Sequence, residues 1–182
     1  MPSSRRLVLV GFMGCGKSSV GRILARRLAW DFVDLDARVE KAEGRSVAAI
    51  FAESGEAHFR AAEAREAETA LSRDRVVLAA GGGWAAQPGR LATLPEGTTS
   101  VWLRVSAEEA VRRSRPDSGT RPLLAGPDPL GTARELVSRR EPEYARAHLE
   151  VDTEGRTVED VAARVLQLLE SEPGIHTPLE TR

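Results

Sequence analysis

Gly11-Phe12-Met13-Gly14-Cys15-Gly16-Lys17-Ser18 matches the spacing G-x-x-x-x-G-K-[ST]. Glycines in that pattern let successive backbone N–H groups wrap around the phosphates of a nucleotide. Lys17 would then reach the β/γ-phosphates, and the Ser18 hydroxyl would ligate Mg²⁺. The backbone of Gly14, Cys15, Gly16 and Ser19 would complete the cradle. Of the 26 basic residues only two, Lys17 and Lys41, are lysines. A chain so biased to arginine still places a compact ammonium in the loop, where it fits among phosphate oxygens better than a planar fork.

Two acids, Asp34 and Asp36, close the apolar run Asp31-Phe32-Val33-Asp34-Leu35-Asp36. If that run stays extended to its end, both carboxylates point to the same side. Neither later apolar run, Val76–Ala80 or Val101–Val105, ends in an acid. Asp34 is therefore the candidate to hold the metal, through water. Asp36 is the candidate to orient a substrate hydroxyl or take its proton. Taken alone, both acids read equally well as solvated loop residues or helix caps.

Gly81-Gly82-Gly83 after a strand offers backbone N–H groups that a ligand can approach closely. Arg60 would place a guanidinium over the acceptor pocket, steadied by Glu63 one helical turn on. Arg140 would supply a second fork, and two guanidiniums converging on one site favour a carboxylate bound bidentately. Arg112, Arg113, Arg115 and Arg121 crowd a Pro/Gly-rich stretch that suits a lid, at about residues 112–126. Arg121 is the candidate to neutralise charge on a transferred phosphoryl group, and Arg113 to stack on the adenine. His58, His148 and His176 have no metal-ligand spacing.

The elements that must position these residues follow from periodicity. Leu7–Val10 reads as a buried strand entering the loop, and Val20, Ile23, Leu24 and Leu28 recur at helical spacing beyond it. That puts the loop at a helix N-terminus, which favours anions. Strands and helices alternate thereafter: strands at 31–36, 76–80, 100–105 and 149–152, and helices across 37–73, from Ser106, over 131–146 and over 157–169. Gly81–Gly83 reads as a backbone surface, from which a flexible turn is indistinguishable by sequence, and Pro142 as a break or bend in its helix. Alternation of this kind argues for a three-layer α/β/α fold with a parallel sheet covered on both faces.

Bulk properties limit the alternatives. A chain of 182 residues suggests a single domain across 1–182, with a C-terminal tail at 171–182 expected to fray. Hydrophobic content of 41% and a net charge of −1 fit a soluble globular protein without a general field for nucleic acid or an anionic membrane. No run approaches the ~20 apolar residues of a membrane span. The short start before the first strand leaves no room for a signal peptide. The single Cys15 excludes an internal disulfide and suits the cytoplasm. The same thiol, if exposed beside the phosphate donors, would be reactive.

Taken together, the ordered set resembles the shikimate kinase family over roughly residues 7–165. The carrying motifs are Gly11 to Ser18, Asp34-Leu35-Asp36, Phe59-Arg60-Ala61-Ala62-Glu63, Gly81-Gly82-Gly83, Arg121-Pro122-Leu123-Leu124, and Arg140 four residues before Tyr144. The resemblance implies a nucleoside-monophosphate-kinase-like fold with a five-stranded parallel sheet. It implies transfer of a phosphoryl group from ATP, with Mg²⁺, to the 3-hydroxyl of shikimate by a monomer. It also implies a helical substrate-binding segment at about 36–64. Asp36 would activate the hydroxyl, Arg60 and Arg140 would hold the carboxylate with Gly81–Gly83, Arg121 would bridge the reactants, and Arg156 would flank adenine. A gluconate kinase is the nearest rival, because gluconate also presents hydroxyls and a carboxylate.

Overall fold

A computed structural model describes residues 5–114 and 127–171. The apolar run Leu7–Val10 forms the strand β1 (Arg6–Val10), whose last four residues are buried. A strand apolar on both faces belongs in the middle of a covered parallel sheet, and β1 lies there. The strands β2 (Asp31–Asp34), β3 (Val76–Ala79), β4 (Thr98–Arg104) and β5 (Leu149–Asp152) join it in the order β2-β3-β1-β4-β5. Every pairing is parallel. The five-stranded α/β sheet expected from the alternation is present.

The helices are α1 (Lys17–Leu28), α2 (Leu35–Glu43), α3 (Val47–Leu71), the short α4 (Gly82–Ala85), α5 (Ala107–Ser114), α6 (Pro129–Tyr144) and α7 (Val158–Ser171). The connection through α1 steps two strands one way along the sheet, and the following connections step the other way. Right-handed crossovers then put α1 on one face and α3 to α6 on the opposite one. Helix α7 returns to pack on α1. Each layer buries its apolar stripe against the sheet, at about 1.5–3 kcal/mol for each large aliphatic side chain removed from water.

Local chemistry sets the boundaries. Ala29 ends α1 in the left-handed conformation (φ 52°, ψ 44°), with its N–H returned to the carbonyls of Ala25 and Arg26. Helix α3 changes direction at Gly55 (φ 80°, ψ 171°), a conformation open in practice only to glycine.

Three local expectations change. The strand at 31–36 stops at Asp34, because Asp34 accepts a hydrogen bond from the Ala37 N–H and starts α2. Asp36 is thus in the first turn of a helix, and the two acids do not share a strand face. Gly82 opens α4 rather than continuing an open turn. Pro142 lies inside α6 without ending it; so close to the C-terminal end, its missing N–H removes a single helical hydrogen bond.

Candidate active site

At the carboxyl end of β1 the chain turns through Gly11, Gly14 and Gly16, all at positive φ, and enters α1 at Lys17. The Lys17 ammonium donates to the carbonyls of Gly11 (2.9 Å) and Phe12 (3.0 Å) and lies 3.6 Å from Cys15 Sγ. The loop's own carbonyls thus hold the ammonium inside the turn. Ser18 Oγ donates to Asp34 Oδ2 at 2.5 Å, while the other oxygen of Asp34 caps α2. One carboxylate therefore ties the phosphate loop after β1 to the end of β2, two places away in the sheet.

Asp36 opens into the same space from the first turn of α2. Asp36 is exposed along the cavity, and protein packed around its carboxyl partly desolvates it. That desolvation raises its pKa, opposed by the Lys17 ammonium and reinforced by the Asp34 carboxylate. On α3, Arg60 Nη1 donates to Glu63 Oε2 at 2.7 Å, the one-turn pairing expected from their spacing. Glu63 is 1% exposed, and its Oε1 has no hydrogen-bond partner among the described residues. Burial pushes its carboxyl up to about 7 against the pull of Arg60.

Close approach bears on the first and third glycines of the triplet. A Cβ on Gly81 would lie 2.4 Å from Glu63 Oε1 and 3.0 Å from Asp36 Oδ1, and one on Gly83 only 2.5 Å from Arg60 Nη1. Gly82 faces Arg140, whose guanidinium also stands over the Phe12 ring, 5.9 Å from its centroid. Trp84, next in sequence, is buried at 2% exposure and packs in the core, with Arg90 over its ring.

One cavity of about 520 Å³ gathers most of the candidates: Gly14, Gly16, Lys17, Ser18, Ser19, Asp34, Asp36, Arg60, Gly81, Gly82, Gly83, Arg113 and Arg140. Three candidates are placed otherwise. The Cys15 side chain is buried at 1% exposure and does not line the cavity, so the exposure on which a reactive thiol depended is not met. Arg156 is exposed on the turn between β5 and α7, away from the cavity lining. Arg121 lies outside the described residues, as does most of the stretch expected to form a lid.

Arg113 reaches the cavity from α5 but is heavily committed. Its guanidinium donates to Glu109 Oε1 (2.6 Å), the Thr153 carbonyl (2.9 Å), Thr153 Oγ1 (3.1 Å) and the Gly14 carbonyl (3.3 Å). Sequence reasoning missed the apolar wall of Val47, Phe51 and Phe59. Phe51 and Phe59 stack with ring centroids 4.7 Å apart. Phe51, at 36% exposure, is the large hydrophobic residue left open to solvent among those described, and it lines the cavity.

Among the described residues no three or more His, Cys, Asp or Glu side chains form a metal cluster. Ser18 and Asp34, two hard oxygen donors at a phosphate loop, suit Mg²⁺, which keeps waters and relies on substrate phosphates for part of its shell. Nor is any described helix long and apolar enough to cross a membrane.

A phosphate loop at the end of the central strand, faced by acids and guanidiniums across one cavity, defines a P-loop kinase of the nucleoside-monophosphate-kinase-like class. Solved structures agree on the fold. A shikimate kinase from Acinetobacter baumannii in complex with shikimate superposes with a TM-score of 0.87 at 35% identity, covering 92% of this chain and 93% of that one. A gluconokinase from Sinorhizobium meliloti shares the fold at a TM-score of 0.60 and 20% identity. The family model described as Shikimate kinase matches residues 13–170, and the chain belongs to that family. A shikimate kinase from Symbiobacterium thermophilum is 43% identical over 90% of this chain and 95% of its own length. One from Synechococcus sp. (strain RCC307) is 41% identical over 93% and 85%.

Proposed function

We propose that this single-domain chain transfers the γ-phosphoryl group of ATP to the 3-hydroxyl of shikimate, giving shikimate 3-phosphate and ADP. The observation that carries the reading is one cavity holding both the phosphate loop and a carboxylate site: Lys17, Ser18 and Asp34 on one side, Asp36, Arg60 and Arg140 on the other. The A. baumannii relative, solved with shikimate, supports the choice of acceptor.

In this reading Arg60 and Arg140 hold the shikimate carboxylate, and the Gly81–Gly83 backbone lets the ring approach. Arg60 is suited to this because Glu63 and Glu56 already fix its fork. Asp36 accepts the hydrogen bond of the 3-hydroxyl and takes its proton as the oxygen attacks phosphorus. Its raised pKa makes it a better proton acceptor than a free aspartate. The bond from phosphorus to the β–γ bridging oxygen breaks, and ADP leaves with that oxygen's electrons. Lys17 exchanges its loop carbonyls for phosphate oxygens and balances their charge. Ser18 and Asp34, the latter through water, would hold Mg²⁺, which screens the phosphate charge when bound. Arg121, from the chain between α5 and α6, supplies a further positive charge to the transferred group.

A coupled assay of ADP release, run with shikimate and with gluconate, tests the reading. Turnover with shikimate is expected. Turnover with gluconate alone would overturn it.

A further inference from the structure

The phenol of Tyr144 is a buried polar group that this mechanism leaves unused. Tyr144 closes α6 at 2% exposure, one turn after Arg140, with its ring 6.2 Å from that of Trp102. Phenylalanine would fill the same volume. A buried hydroxyl costs free energy unless it is hydrogen-bonded, and this one donates to the Gly82 carbonyl at 2.7 Å.

The acceptor it has chosen is informative. Gly82 opens α4, a helix of four residues whose cap, Gly81, provides no side-chain hydrogen bond. A helix that short does not hold itself, so its place depends on outside clamps. Arg140 rests against the same residue. A Cβ on Gly82 would stand 3.4 Å from Arg140 Nη1 and 3.5 Å from the Tyr144 oxygen. Burial pushes the phenol up to about 12, so it remains a hydrogen-bond donor throughout the working pH range.

We propose that Tyr144 is a positioning residue for Arg140: its hydroxyl pins the Gly82 wall against α6, and that wall fixes the Arg140 guanidinium towards the acceptor's carboxylate. The proposal rests on the reading that Arg140 binds that carboxylate. Loss of the pin frees Arg140 to sample orientations that miss the substrate. The effect falls on binding of the acid, because Lys17 and Ser18 hold the nucleotide independently.

A double-mutant cycle on the full-length enzyme tests this, with KM for shikimate, KM for ATP, kcat and melting temperature measured for each variant. Tyr144→Phe is expected to raise KM for shikimate about tenfold, the scale of one hydrogen bond. KM for ATP should stay within about twofold. In an Arg140→Ala background the same change should add less than about twofold, because its target is gone. A full tenfold rise in that background would overturn the proposal. So would a lowered melting temperature with both KM values unmoved, or an equal rise in both, because each marks a purely structural tyrosine. Arg140→Ala without any rise in KM for shikimate would instead remove the reading of Arg140, and the proposal with it.

Discussion

Asp36 stands between two opposed influences, crowding that favours its neutral form and an ammonium that favours its charge. Asparagine keeps its shape and removes both the charge and the capacity to take a proton. Asp36→Asn should lower kcat by about 10²–10⁴-fold, the usual worth of a positioned general base. KM for ATP should change little, and steady-state kinetics checks both; equal losses would make Asp36 structural. Glu63 offers a prediction on stability. Its folded pKa, about 7, lies above the ordinary 4.5, so the folded state holds the proton more tightly than the unfolded chain. The stability this confers is complete below pH 4.5 and is lost as pH rises through 7. Urea unfolding at pH 4.5 and 7.5 should show wild type losing more over that interval than Glu63→Gln, whose amide never ionises. At this scale the sequence was readable where partners lie one turn apart, as with Arg60 and Glu63. Spacing alone was mute on Arg140 and Gly82, which meet across 58 residues of chain, and the family resemblance was what put them in one pocket.

Elements were legible in kind, and their ends were decided by side-chain hydrogen bonds. The run 31–36 keeps a strand's apolar alternation, but Asp34 caps a helix and shortens it. The alternation gave no hint, since a capping aspartate and a strand-end aspartate are the same letter. Ser106 shows the converse: a helix was expected from it, and its hydroxyl accepts from the Glu109 N–H at the start of α5. Glu109 does not reach back, because Arg112 and Arg113 claim its carboxylate and hold it down at about 2. Ala29 carries a cost that can be removed. It is exposed and sits in the left-handed region, where glycine is at ease. Ala29→Gly should stabilise the fold by about 1 kcal/mol, seen as a higher urea midpoint with an unchanged slope. An unchanged midpoint would mean that the gain is cancelled by greater freedom of the unfolded chain.

At the scale of the molecule, the parallel sheet was legible from alternation, and the strand order was not, because periodicity is silent on which strands are neighbours. Parallel pairing in that order sets the carboxyl ends of β2, β3 and β1 side by side at one end of the sheet, and with them the phosphate loop, the two acids and the glycines. Convergence of this kind makes nucleotide binding a property of the folded state alone. ADP at about 100 times its Kd should therefore stabilise the protein by about 2.7 kcal/mol, and Lys17→Ala should abolish most of that shift in a thermal melt. A shift that survives the substitution would place the nucleotide elsewhere. The glycine turn after β3 then has a consequence in genetics. Three consecutive codons are answerable to three different neighbours: the first to a pair of carboxylates, the second to a tyrosine and an arginine with room for a methyl group, the third to a guanidinium that leaves none. A saturation screen should find the middle codon more tolerant of alanine than its two flanks, where a methyl group must displace Glu63 or Arg60, an uneven signature that a loop kept merely for flexibility would not produce.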